Sequence, residues 1–174
     1  MAAGSAAERK AELRARYRGA RGQPRAEAAR AALERLLGLP ELVRARTVAF
    51  YAAIGDEVPV EAAAELCRAR GSRVVYPVVA GLALELAERP GRPERVPVEE
   101  IELFVVPGLL FDRTGLRLGR GGGHYDRLLA RRSPGARVVG ICYADRVVAE
   151  LPREAWDEAM DLVVSDRETL RFDR

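Results

Sequence analysis

Residues 115 to 129 read GLRLGRGGGHYDRLL and gather five glycines, three arginines, the chain's one histidine and an aspartate ahead of a helical pattern. Glycines let successive backbone N–H groups converge with no side chain in the way, and the start of a helix adds unpaired N–H groups and the positive end of its dipole. That chemistry suits phosphate. Arg117 and Arg120 flank the glycines and can add charge-assisted contacts to the same oxygens. Asp126, in the first turn of the expected helix, has the hard oxygen donors that hold Mg²⁺ on a nucleotide. The pattern is neither the ordinary P-loop, G-x-x-x-x-G-K-S/T, nor a dinucleotide-binding turn. A glycine cluster alone is more often a mobile turn than a ligand cradle; the arginines, the aspartate and the helix entry raise the functional reading to the same level.

Lys10 is the second chemical signal. All but one of the 29 basic residues are arginine, and Lys10 is the exception. A compact ammonium does what a planar guanidinium cannot, so a lone lysine marks a candidate point charge, with coincidence as the competing reading. Arg14 lies one helical turn further on, on the same face.

These groups need elements to position them. The chain has 174 residues, is 48% hydrophobic and 32% charged, and carries a net charge of +3. Such a chain suits one domain over 1–174 with one core. The basic excess, with an isoelectric point near 9.2, is spread along the chain rather than clustered, which argues against nucleic acid as a partner. No apolar run reaches the roughly 20 residues of a membrane span, and the N-terminus is not built like a signal peptide, so a cytoplasmic protein is expected. Cys67 and Cys142 lie far apart within expected regular elements and read as buried thiols rather than a disulfide or zinc site.

Helices are expected over residues 5 to 20, capped by Ser5, and from Pro24 to about Gly38. Short β-rich runs follow at 47–52, 73–79, 82–88, 101–108, 137–144 and 161–166. Helical stretches lie between several of them: PVEAAAELCRARG, HYDRLLARR and a shorter piece near 147–158. The alternation predicts an α/β fold, a three-layer α/β/α, Rossmann-like domain with a largely parallel sheet and its ligand site at the carboxyl ends of the strands. Residues 89 to 100, RPGRPERVPVEE, read as a surface connection. The glycine stretch then sits in a strand-loop-helix unit between IELFVVPG and HYDRLLARR.

The segment VVPGLLFDRTGLRLGRGGGHYDRLL resembles the signature of the 5-formyltetrahydrofolate cyclo-ligase family, roughly P-G-x-x-F-D-x-x-G-x-R-L-G-x-G-x-G-Y-Y-D, with His124 where a tyrosine is usual. RKAELRARY is similar to the family's N-terminal lysine helix, VAFYAAIGDEVPVEAA to its folate-contacting strand-loop-helix, and LPREAWDEAMDLVVSD to its C-terminal segment. The resemblance covers most of the chain. It implies ATP-dependent closure of 5-formyltetrahydrofolate to 5,10-methenyltetrahydrofolate through a phosphorylated formyl oxygen, with release of ADP and phosphate. It further implies that Lys10 and Arg14 contact ATP and that Arg117, Leu118, Gly119, Arg120, Gly121, Gly122, Gly123, His124 and Tyr125 form the phosphate loop. Lys10 and Arg120 are then the catalytic cations, Asp126 holds Mg²⁺, and Glu57 contacts the pterin, whose N–H donors a carboxylate can accept. Tyr51 is carried as a second substrate contact.

Each assignment has a plainer counterpart. Arg14 can be a solvated helix residue, Glu57 the cap of the helix beginning near Pro59, and Tyr51 a core residue of its strand. His124 reads as structural, Asp112 as closing a turn, and Trp156 and Asp157 as packing and turn residues. Two further functions stand as alternatives: a folate- or nucleotide-binding module without turnover, and, on the isoelectric point alone, an RNA-binding accessory protein. Oligomeric state, monomer or homodimer, is open. Between YPVV and VVPG the family usually carries a longer stretch that helps wall the folate pocket, so a shallower folate site is expected.

Overall fold

A computed structural model describes residues 5–18, 25–81, 83–88 and 94–172. Strands β1 (Thr47–Ala49), β2 (Arg73–Ala80), β4 (Leu103–Val106), β7 (Arg137–Ile141) and β9 (Leu162–Val164) are parallel neighbours in the order β2-β1-β4-β7-β9. Antiparallel hairpin partners close both edges: β3 (Ala83–Ala87) on β2, and β10 (Thr169–Arg171) on β9. This is the largely parallel, doubly wound α/β sheet the alternation predicts.

Both faces of the sheet are buried, so its strands read as continuous apolar runs. Val48, Leu103, Val105, Val139 and Ile141 face one side. Packed there are α2 (Ala26–Leu37), α3 (Pro40–Arg44) and α4 (Glu61–Ala69), through Ala32, Leu36, Leu42, Ala63 and Cys67. Ala49, Phe104, Val106, Val138 and Val163 face the other side, covered by Leu128 and Leu129 of α5 (His124–Leu129), with Phe111 and Met160. Phe111 belongs to β5 (Leu110–Asp112), the middle strand of a small sheet with β6 (Arg117–Leu118) and β8 (Val147–Val148). Its ring occupies the space a side chain at Gly140 would need; a Cβ there would sit 2.3 Å from it. The amino-terminal helix α1 (Ala6–Tyr17) lays Leu13 and Tyr17 on a separate cluster of Leu110, Leu116, Leu118, Leu151 and Ala159. Ser5 caps it as expected, in a reciprocal capping box with Glu8.

Four expectations change. The glycine stretch does not run directly from the buried strand to the helix: β5 and β6 intervene, and Arg117 and Leu118 lie in a buried strand rather than the loop. No helix forms over 147–158. Val147 and Val148 pair with β5, and carboxylates take amides that a helix would use, Asp112 from Leu151 and Asp157 from Glu154. The first run narrows to 47–49, its continuation being irregular. Residues 89–93 and Pro24 lie outside the described residues, but Val96 and Val98 of the expected surface connection are core, Val96 bridging to Leu86.

Candidate functional site

The connection after β1 packs α4 on one face, and the connection after β4 leads to α5 on the other. The chain therefore changes sides between β1 and β4, and a doubly wound sheet opens its ligand crevice at the carboxyl ends of such a pair. Asp56 and Glu57 follow β1, Gly108 follows β4, and Cys142 and Tyr143 follow β7; with Arg146 they line a cleft of about 10 Å³, room for one water. Burial holds the Cys142 thiol up to about 12, so it is not a thiolate nucleophile.

The glycine loop lies beside this crevice. Gly121 and Gly123 have φ of +105° and +62°, which a side-chain-bearing residue adopts only with strain. Gly119 gives space to the Arg117 guanidinium, whose Nη1 would lie 2.6 Å from a Cβ there. Arg117 is buried, pairs with Asp126 at 3.1 Å, stacks over the Tyr125 ring and keeps a buried Nε without a partner. Leu118 is core, and the His124 Nδ1 lies 3.3 Å from Arg127. Burial raises the Tyr125 hydroxyl pKa, leaving it a neutral group.

Arg120 leaves the loop for the β1 side, where it meets Glu57 at 3.1 Å and the Ile54 carbonyl at 3.1 Å. Glu57 is nearly buried and accepts the Ile54 N–H. It closes a turn and does not cap α4, whose N-terminus has no side-chain cap. Tyr51 is 2% exposed and donates its hydroxyl to the Val58 carbonyl. Its ring is packed in the core rather than offered for stacking, and through Val58 it braces the segment that carries Glu57. Asp112 closes its turn by accepting from Thr114 and Leu116.

Along α1 and its C-cap, Lys10, Arg14 and Arg18 recur every fourth residue. Lys10 is 3% exposed, its Nζ 2.8 Å from Glu154 and 2.6 Å from Asp157. Arg14 donates to the Gly119 carbonyl at 3.1 Å, so it is not a solvated helix residue. The structure thus joins Arg14, Arg117, Arg120, Asp126 and Glu57 around the loop, and ties Lys10 to the 154–157 turn. Sequence reasoning missed Arg18, which bonds the Arg120 carbonyl, and Arg146, which is buried against Asp56 in the crevice. It also missed Glu154 and Asp157 as the partners of Lys10. The four-residue spacing of Lys10, Arg14 and Arg18 was a signal for Arg18; the other contacts span 90 residues or more and had none.

Residues 2–166 match the 5-formyltetrahydrofolate cyclo-ligase family. A 5-formyltetrahydrofolate cyclo-ligase of Mycolicibacterium smegmatis is 33% identical over 147 residues, which span 72% of this chain and 76% of the relative. That of Escherichia coli is 28% identical over 174 residues, spanning 88% and 96%. The solved 5,10-methenyltetrahydrofolate synthetase of Aquifex aeolicus superimposes with a TM-score of 0.81 at 29% identity, covering 95% of this chain and 93% of that one.

Proposed function

The chain belongs to the 5-formyltetrahydrofolate cyclo-ligase family, and from that membership we propose that it converts 5-formyltetrahydrofolate to 5,10-methenyltetrahydrofolate at the expense of ATP. The observation that carries the reading is the Arg120–Glu57 pair. It sets a cation of the glycine loop beside the carboxylate carried over as the pterin contact, and transfer of a phosphoryl group between two bound substrates requires their subsites to adjoin.

In the reaction the formyl oxygen attacks the γ-phosphorus and ADP leaves. N10 then attacks the formyl carbon and loses its proton. The C–O bond breaks, phosphate departs with its electron pair, and an N5–C–N10 amidinium remains. The residues neutralise and position charge. Loop amides with Arg117 and Arg120 hold phosphate oxygens, and Lys10 with Arg14 supports them from α1. Glu57 accepts pterin N–H groups. Three of these cations sit on carboxylates: Lys10 on Glu154 and Asp157, Arg117 on Asp126, and Arg120 on Glu57. Substrate binding exchanges the partners of the most open pair, phosphate taking Arg120 and the pterin taking Glu57, while the buried Lys10 keeps its carboxylates.

Among the described residues no group of three or more His, Cys, Asp or Glu side chains could hold a metal by itself. Mg²⁺ needs only one or two carboxylates beside substrate phosphates, and Asp126, partly exposed beside the loop, fits that donor set. When bound it would neutralise phosphate charge. The reading includes a single cytoplasmic domain; among the described residues no helix is long and apolar enough to cross a membrane.

The test mixes the protein with 5-formyltetrahydrofolate, ATP and Mg²⁺ and follows the absorbance of the methenyl product. A rise that requires all three is expected. ATP binding without turnover would instead establish the non-catalytic module.

A further inference from the structure

We propose that Arg18 and Arg127 are positioning residues of the phosphate cradle: with Arg14 they grip three carbonyls of the glycine loop and thereby aim its amides at the nucleotide. The inference rests on the reading of that loop as the ATP site. Arg14 Nε donates to the Gly119 carbonyl at 3.1 Å, Arg18 Nη2 to the Arg120 carbonyl, and Arg127 Nη2 to the Gly122 carbonyl at 2.9 Å. None of these peptide bonds is cis. In a trans peptide the carbonyl and the following N–H point in opposite directions. The amides of Arg120, Gly121 and Gly123 are therefore turned away from the guanidinium groups that hold the preceding carbonyls.

Those amides are free to take a ligand. Among the described residues the N–H groups of Arg120, Gly121, Gly122 and Gly123 donate no hydrogen bond, and Arg120, Gly121 and Gly122 are exposed. An independent observation points the same way. The Arg117 guanidinium, 96% buried and lying against Gly119, keeps an Nε donor with no partner. Buried donors are rarely left so unless something else supplies the acceptor.

The arginines are needed because glycine sets no preference of its own. A segment with glycine at 119, 121, 122 and 123 can rotate its peptide planes cheaply, and each reversed plane would present a carbonyl oxygen to phosphate instead of an N–H. Gripping the carbonyls removes that freedom before the nucleotide arrives. Arg14 of α1 and Arg18, the residue that caps its carboxyl end, do this at four-residue spacing, and Arg127 does it from within α5.

The test measures ATP binding by calorimetry, and KM for ATP and for 5-formyltetrahydrofolate, in Arg18→Gln, Arg127→Gln, Arg18→Lys and the control Arg30→Gln. Arg30 pairs with Glu34 on the exposed face of α2 and removes the same charge away from the loop. Arg18→Gln and Arg127→Gln are expected to weaken ATP about tenfold, the low end for loss of charge-assisted hydrogen bonds. The folate KM and the thermal midpoint stay near the parent, Arg18→Lys recovers most of the loss, and Arg30→Gln behaves as parent. The deficit is expected to persist at about 0.5 M salt, where a net-charge effect is screened. Unchanged ATP affinity in both glutamine variants overturns the proposal. So does a deficit that vanishes with salt, or one shared equally by folate. Calorimetry separates the two readings: a parent that binds ATP without turnover, with binding weakened in the variants, sinks the ligase function and leaves the positioning role standing.

Discussion

Lys10 shows how a residue chosen for its rarity acquires a reason. Its ammonium is buried between Glu154 and Asp157, whose side chains are themselves 17% and 9% exposed. A compact cation fits between two carboxylates, whereas a guanidinium is wider and planar. Lys10→Arg is expected to fold and to lose affinity for ATP, because the longer side chain must displace the 154–157 turn to keep both contacts. Lys10→Met leaves two poorly solvated carboxylates without a cation. It is expected to lose on the order of 3 kcal/mol of stability as well as activity, within the range for breaking a buried pair. Denaturant unfolding and ATP titration on the same samples check this. Parent-like ATP affinity in Lys10→Arg would show that the lysine's geometry is incidental.

At the scale of elements, glycines that look alike in sequence have different duties. Gly140 lies within β7 and gives its space to the Phe111 ring, which is wedged between the sheet and β5 and cannot retreat. Gly140→Ala is therefore expected to cost about 1 to 3 kcal/mol, the range for overpacking a core, and to leave KM for ATP near the parent value in whatever fraction folds. At Gly122 a Cβ would come within 2.5 Å of the His124 ring, but that ring ends a side chain on a half-exposed surface and can move. Gly122→Val is expected to unfold close to the parent midpoint while losing ATP-dependent turnover, since its branches stand where phosphate must approach the amides. Thermal unfolding beside steady-state kinetics separates the two variants. Wild-type turnover in Gly122→Val would place the cradle elsewhere. The glycine loop ahead of α5, with its flanking cations, was legible from residue types alone. The small sheet of β5, β6 and β8 was not, because strands of two or three residues give no period and β8 joins from 35 residues away in sequence.

At the scale of the whole molecule, the edges of the sheet decide two expected outcomes. On one edge the β2–β3 hairpin lies in the segment between YPVV and VVPG, which by the resemblance is expected to be shorter than in the family and to leave the folate site shallower. A pocket wall that leaves about 50 to 100 Å² of ligand apolar surface wet costs on the order of 1 to 2.5 kcal/mol, tenfold or somewhat more in affinity. The KM for 5-formyltetrahydrofolate is expected to exceed that of the Escherichia coli relative under identical conditions, with KM for ATP comparable; equal folate constants for two monomers would refute this. On the other edge Arg171 of β10 reaches Glu41 of α3, and its hydrogen bond holds the Glu41 carboxyl below the ordinary 4.5. A carboxylate so depressed contributes stability above its unfolded-state value and loses it as pH falls through the lower folded-state value. The urea midpoint is expected to decline below about pH 4.5, and Glu41→Gln to decline less over that interval; parallel declines would assign the acid limb to other groups. What the sequence determined by itself was local or periodic: the alternation of strand and helix, the Ser5 cap, the glycine loop between cations, and the family signature. Those follow from neighbours within a few residues, which backbone sterics and the two repeat lengths make readable. Only the tertiary structure decided which charges meet. Lys10 finds Glu154 and Asp157, Arg120 finds Glu57, Arg146 finds Asp56, and Asp112 holds Leu151 where a helix was expected. Such pairings are set by where the β1, β4 and β7 ends converge and by which ions burial leaves without water. No spacing along the chain encodes them, because each partner arrives on a different and distant segment, several of them turns or loops.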